Sequence, residues 1–139
     1  MACKAFLPVL QKAKQGKIIN MSSDMASISG KRIHCRRIVA NTLADNLKGG
    51  NICYRLSKTA VNQLTKTVAE DLAKLGSKVI TLAIHPGYLP TKMNDYYGED
   101  DMDECLSGMV KTIEAFGTVE ATNIPNGGYV DWNGKVLAL

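Results

Sequence analysis

The chain has 139 residues, 45% of them apolar and 22% charged, with a formal net charge of +4. Those values suit one folded domain and exclude wholesale disorder, which needs low hydrophobicity and high net charge. The mild positive excess indicates no polyanionic partner, and the apolar run 5–10 is too short for a membrane span or a signal-peptide core. The expectation is a cytoplasmic protein that binds neither nucleic acid nor membrane. The cysteines Cys3, Cys35, Cys53 and Cys105 form no Cys-x-x-Cys pair and no metal-ligand spacing. They read as reduced thiols, with no metal.

The first segment, 1–14, has apolar residues at Ala5, Phe6, Val9 and Leu10, a short helical stripe with Pro8 in its middle. A proline there removes a backbone donor, so a kinked helix is expected. Lys17–Met21 follows Gly16 and is short, β-branched and mostly apolar, which predicts a buried strand. Residues 22–30 are rich in Ser and read as a loop. The stretch 31–47 carries Ile33, Ile38, Val39, Leu43 and Leu47 at an imperfect helical period. Its basic face of Lys31, Arg32, Arg36 and Arg37 reads as a solvated surface.

The clearest element is a helix over 54–75, where Val61, Leu64, Val68, Leu72 and Leu75 recur at spacings of three and four. Gly76 supplies its stop. Residues 78–84 are again a continuous β-branched run, so a second buried strand follows. Strand, long helix and strand imply a parallel pair joined by a crossover. Pro86, Gly87 and Pro90 enforce a loop at that strand's end. Asp101 and Glu104 read as a capping box opening a second long helix, striped by Met102, Leu106, Met109, Val110, Ile113 and Phe116. A strand over 128–132, a turn at Asn133-Gly134 and a last segment 135–139 complete an α/β architecture of about three strands.

Tyr54 and Lys58 stand four apart at the start of the long helix and share one face. A phenol is a poor acid or base at neutral pH, and a neighbouring ammonium favours its phenolate form. Ser22 and Ser23, at the end of the first strand, add hydroxyl donors for a substrate carbonyl. In open parallel sheets ligands sit outside the strands' C-terminal ends, where the loop 86–91 also emerges. The Tyr-x-x-x-Lys spacing is weak by itself: with five Tyr in 139 residues, chance supplies roughly half of one such pair. The order of segments carries the signal. It runs apolar strand, Ser-Ser, Tyr-x-x-x-Lys on an amphipathic helix, apolar strand, then Pro-Gly-x-x-x-Thr.

The segments Lys17-Ile-Ile-Asn-Met-Ser-Ser23, Tyr54-Arg-Leu-Ser-Lys58 and His85-Pro-Gly-Tyr-Leu-Pro-Thr91 closely resemble the short-chain dehydrogenase/reductase family. The His-Pro-Gly loop and the closing Gly-Gly-Tyr-Val-Asp-Trp-Asn-Gly-Lys resemble its sniffer-like or C-factor-like carbonyl reductases. The resemblance covers nearly the whole chain except about 31–48, which reads as an insert. It implies a Rossmann-type doubly wound sheet, of which residues 1–139 resemble the C-terminal half as a single partial domain. Tyr54 is then implied to be the catalytic acid/base. Lys58 is the cation beside it that holds the nicotinamide ribose, and Ser23 orients the substrate carbonyl. Pro86, Gly87 and Thr91, with Tyr54 and Lys58, line the cofactor pocket, and Ser22 is structural. The implied cofactor is NADP(H), with NAD(H) an alternative, and the implied substrate is a small ketone or aldehyde.

Members of the family open with a Thr-Gly-x-x-x-Gly-x-Gly turn, and the 139 residues contain none. Two expectations follow. One is a carbonyl reductase by lineage, impaired in this chain alone. The other is a non-catalytic half-domain that pairs with itself or with a full-length relative. Among the remaining residues, His85 reads as loop packing, and Cys53 as a small buried neighbour of Tyr54. The acidic run 99–104 reads as helix-start charge. Tyr88, Tyr96, Tyr97 and Trp132 read either as contacts for a hydrophobic carbonyl substrate or, at least equally, as core or rim packing.

Overall fold

A computed structural model of the chain describes residues 2–28 and 49–139. The expected helix over 31–47, its basic face, Cys35 and the insert 31–48 lie outside the described residues.

Helix α1 (Ala2–Leu10) contains Pro8, yet the Gln11 N–H still donates to Leu7 O at 2.9 Å. The turn around the proline therefore survives the loss of its own donor. Strand β1 is Lys17–Met21, as its β-branched run predicts. Gly16 leads into it because a Cβ at that position would meet Leu10 O at 2.6 Å. Helix α2 covers Ile52–Lys74, beginning two residues before the predicted start. It ends where Gly76 takes φ +66° and Ser77 N–H donates to Leu72 O at 3.0 Å, the glycine-dependent helix stop.

Strand β2 is Ile80–His85. It starts later than predicted because its first ladder bond runs from Ile80 N–H to Gly16 O at 2.9 Å. Helix α3 (Met102–Ala115) opens with the Asp101 carboxylate accepting the Glu104 N–H at 2.8 Å. Strand β3 is Gly128–Asp131, one residue shorter than predicted. Asp131 ends it by accepting the Asn133 and Lys135 N–H groups at 3.0 and 2.9 Å. The chain then folds back along β3, with Val136 bridging antiparallel to Val130.

The sheet is three-stranded, ordered β1-β2-β3, and both pairings are parallel. Its two faces differ in chemistry. On one face Leu82, Ile84, Val130 and Phe116 are buried, with Ile19, Met109 and Ile113 packed against them under α3. On the other, Ile18, Leu72 and Val79 meet Leu7, Leu10 and Val68 at one end only. Further along that face the contact with α2 becomes polar. Asn20 Nδ2 donates to Thr65 Oγ1 at 2.9 Å, and Thr81 Oγ1 donates to Thr65 O at 2.9 Å.

The predicted stripe of α2 is therefore only partly its buried face. The buried residues are Arg55, Asn62, Thr65, Ala69 and Leu72, while Leu75 is 76% exposed. Small and hydrogen-bonding side chains let the helix approach a sheet whose own residues there are Asn20, Ser22, Thr81 and Ala83. The larger apolar residues Val61, Leu64 and Val68 fall on the half-buried flank. No helix among the described residues is long and apolar enough to cross a membrane.

Candidate active site

Because the strands are parallel, their C-terminal ends share one edge of the sheet. From it emerge the Ser22–Ser23 segment after β1 and the Pro86–Gly87 loop after β2. Helix α2 runs back from that edge, so its first turns, with Tyr54 and Lys58, lie over the end of β1. The Lys58 Nζ donates to Met21 O at 2.9 Å and sits 5.7 Å from the centre of the Tyr54 ring. One ammonium thus links the acid/base candidate to the strand end that leads into Ser23. Both Tyr54 and Lys58 are half-buried, so the site is walled but reachable.

The two serines diverge, as adjacent residues in extended backbone must. Ser22 Oγ donates to Asn62 Oδ1 at 2.6 Å in the buried seam under α2, a packing role. Ser23 is extended (φ −156°, ψ 149°) and caps the short turn Asp24–Ala26, its hydroxyl accepting the Met25 N–H at 3.2 Å. The same hydroxyl donates to Asp24 Oδ1 over 3.3 Å, a long bond.

The cofactor-loop candidates occupy one tightly tied segment. Gly87 has φ +97°, and a Cβ there would meet Cys105 Sγ at 2.9 Å and Asp100 Oδ2 at 3.0 Å. Asp100 Oδ2 also accepts the Tyr88 N–H at 2.6 Å. Asn94 Oδ1 accepts the Thr91 N–H at 2.9 Å, while Asn94 Nδ2 donates to Leu89 O at 2.9 Å. The acidic run therefore pins the loop as well as opening α3. Among the described residues no group of His, Cys, Asp and Glu could hold a metal ion.

Local patterns leave other parts of this edge unmarked. Asp24 N–H donates to His85 Nδ1 at 3.2 Å, which ties the Ser23 turn to β2 and makes His85 a packing residue. The Tyr129 phenol donates to Ser23 O at 2.6 Å across 106 residues of sequence. No motif signals that contact. Cys53 is exposed, not buried as expected, because in the first turn of α2 it is Arg55 that turns inward. Trp132 packs on α3, where a Cβ on Gly108 would overlap its ring. Tyr96 and Tyr97 are 69% and 74% exposed.

A family profile described as short chain dehydrogenase matches residues 38–102. The oxidoreductase UcpA of Salmonella typhimurium is 34% identical over 114 residues, which are 79% of this chain and 36% of that protein. C-signal of Myxococcus xanthus is 27% identical over 110 residues, 79% of this chain and 56% of that one. Among solved structures, carbonyl reductase Sniffer of D. melanogaster superposes with a TM-score of 0.73 at 31% identity. It aligns with 99% of this chain over 51% of its own length. An NADPH-bound carbonyl reductase from chicken fatty liver gives 0.71 at 27% identity, again over 99% of this chain and 51% of that one.

The chain belongs to the short-chain dehydrogenase/reductase family. It carries half of that family's Rossmann-type parallel sheet, and it spans about half the length of the solved relatives it matches.

Proposed function

We propose that the chain carries the catalytic half of an NADP(H)-dependent carbonyl reductase that reduces a ketone or aldehyde to an alcohol. The observation behind this reading is the junction at the end of β1, where Lys58 binds Met21 O and lies beside the Tyr54 ring. Two residues further along, Ser23 begins its turn.

The residues present suit the nicotinamide-ribose end of the cofactor. An ammonium has three donors, so Lys58 keeps two for ribose hydroxyls after bonding Met21 O. The loop of Pro86, Gly87 and Thr91 would cover the nicotinamide side. The fit stops at the phosphates, since the 139 residues include no glycine turn to cradle them. When bound, the cofactor supplies the hydride for the carbonyl carbon.

The chain's own groups do the rest. The Ser23 hydroxyl exchanges its long bond to Asp24 for the substrate oxygen and orients the carbonyl. Tyr54 delivers its phenolic proton to that oxygen as charge develops there, and the Lys58 cation stabilises the phenolate left behind. The test is Tyr54→Phe in a chain supplied with a phosphate-binding half. A positioned acid contributes about 10²–10⁴-fold, so turnover falls by that order while the fold persists. Turnover at the unsubstituted level would make Tyr54 a packing residue.

A second reading, a half-domain that pairs with another chain, is favoured by the exposure of apolar α1 residues. Phe6 is 64% and Val9 66% exposed. Sedimentation separates this reading from a monomer.

A further inference from the structure

The segment carrying Ser23 is held from three directions by side chains of three different elements. From β3, the Tyr129 phenol donates to Ser23 O at 2.6 Å. From β2, His85 Nδ1 accepts the Asp24 N–H at 3.2 Å. From α2, Thr59 Oγ1 donates to Ala26 O at 2.9 Å. Tyr129 is the longest reach of the three and is 5% exposed.

We propose that Tyr129 is a positioning residue: its phenol, through the Ser23 carbonyl, fixes the backbone that aims the Ser23 hydroxyl at the substrate oxygen. The assignment rests on the carbonyl-reductase reading above. Ser23 O already accepts the Ala26 N–H at 2.9 Å inside its own turn. The second bond from Tyr129 is therefore not needed to satisfy the carbonyl. What it adds is direction, because one acceptor held by two donors from different elements cannot rotate about the turn axis. The geometry also places Tyr129 on the α2 side of the sheet, since it is in register with Ala83, and Ala83 with Asn20. Burial, with Asp24 and Asp131 nearby, pushes the phenol well above its ordinary range. Tyr129 thus stays a donor at any pH where the site would work. An extended backbone at Ser23, with its hydroxyl on a weak local bond, leaves that hydroxyl free to change partner without moving the chain.

The test compares the full chain with its Tyr129→Phe variant, which keeps the ring and removes only the donor. Residue-resolved hydrogen exchange reads the Met25 and Ala26 amides, and thermal melting reads the fold. The expected result is exchange about tenfold faster at those two amides. Amides in the middle of α2 and β2 stay unchanged, and the melting point moves little. With each chain joined to a phosphate-binding half, an NADPH-linked ketone assay is expected to show kcat about tenfold lower at unchanged KM. Should Tyr129→Phe unfold the chain, Thr59→Val releases the same turn from its other side and is expected to loosen the same amides. Unchanged exchange at Met25 and Ala26, or acceleration in step with the whole chain, overturns the proposal. Local loosening in the chain, together with a folded hybrid that shows no turnover before substitution, leaves the clamp standing and counts against the reductase reading.

Discussion

Cys105 and Cys53 show how burial separates two thiols of one chain. Cys105 is 1% exposed, packed beneath Gly87. Burial, reinforced by Asp100, Glu104 and other acidic neighbours, pushes its thiol from 9.0 up to about 11. The unfolded chain then loses this proton first. Stability that is fully present below pH 9.0 is lost as pH rises toward about 11. The raised Tyr129 phenol adds a loss of the same sign above pH 10. Melting temperatures are expected to fall across this window, and Cys105→Ser should flatten the fall between its two limits. Exposed Cys53 should be alkylated before Cys105 at pH 8, as mass mapping would detect. The site itself was half legible at this scale. Tyr54 and Lys58 are four apart on a helix, so spacing alone places them together. Tyr129 and Ser23 meet only because β3 lies beside β2 and a long side chain crosses the sheet.

The elements rest on two unlike interfaces. Under α3 the contact is apolar, and Phe116→Ala is expected to cost about 3–5 kcal/mol by leaving a cavity beside Leu82 and Ile84. Under α2 it is a hydrogen-bonded seam. Thr65 is 1% exposed and accepts from Asn20 while donating to Val61 O at 2.7 Å. Thr65→Val keeps the shape but strands the Asn20 amide, at about 1–3 kcal/mol. Chemical denaturation would measure both losses. Strand β1 was legible to the residue, because a short β-branched run after a glycine has few alternatives. The seam was not. Periodicity finds apolar stripes, and α2 turns a polar line of Asn62 and Thr65 inward where the sheet offers Asn20 and Ser22. The helix predicted over 31–47 lies outside the described residues.

At the scale of the whole molecule, the sheet has one covered and one open flank among the described residues. The segment after β3 folds back on that strand, with Leu137 N–H donating to Tyr129 O at 2.9 Å. Among the described residues β1 pairs only with β2, and its last residue, Met21, is 45% exposed. Open apolar edges recruit other strands. The 139-residue chain is expected to associate in a concentration-dependent manner on sedimentation. A monodisperse monomer with a cooperative melt would show that the edge is covered. Without a phosphate cradle, calorimetric titration should give no saturable NADP(H) binding on the order of micromolar.

The central claim is that Ser23, Tyr54 and Lys58 form a working reductase site once the other half of the sheet is present. The direct measurement joins this chain to the half of Drosophila Sniffer that it does not match and follows NADPH oxidation with a ketone. Circular dichroism and melting confirm a folded hybrid. The account predicts ketone-dependent oxidation that Tyr54→Phe removes. A folded hybrid that oxidises no NADPH, or one indifferent to Tyr54→Phe, would contradict it.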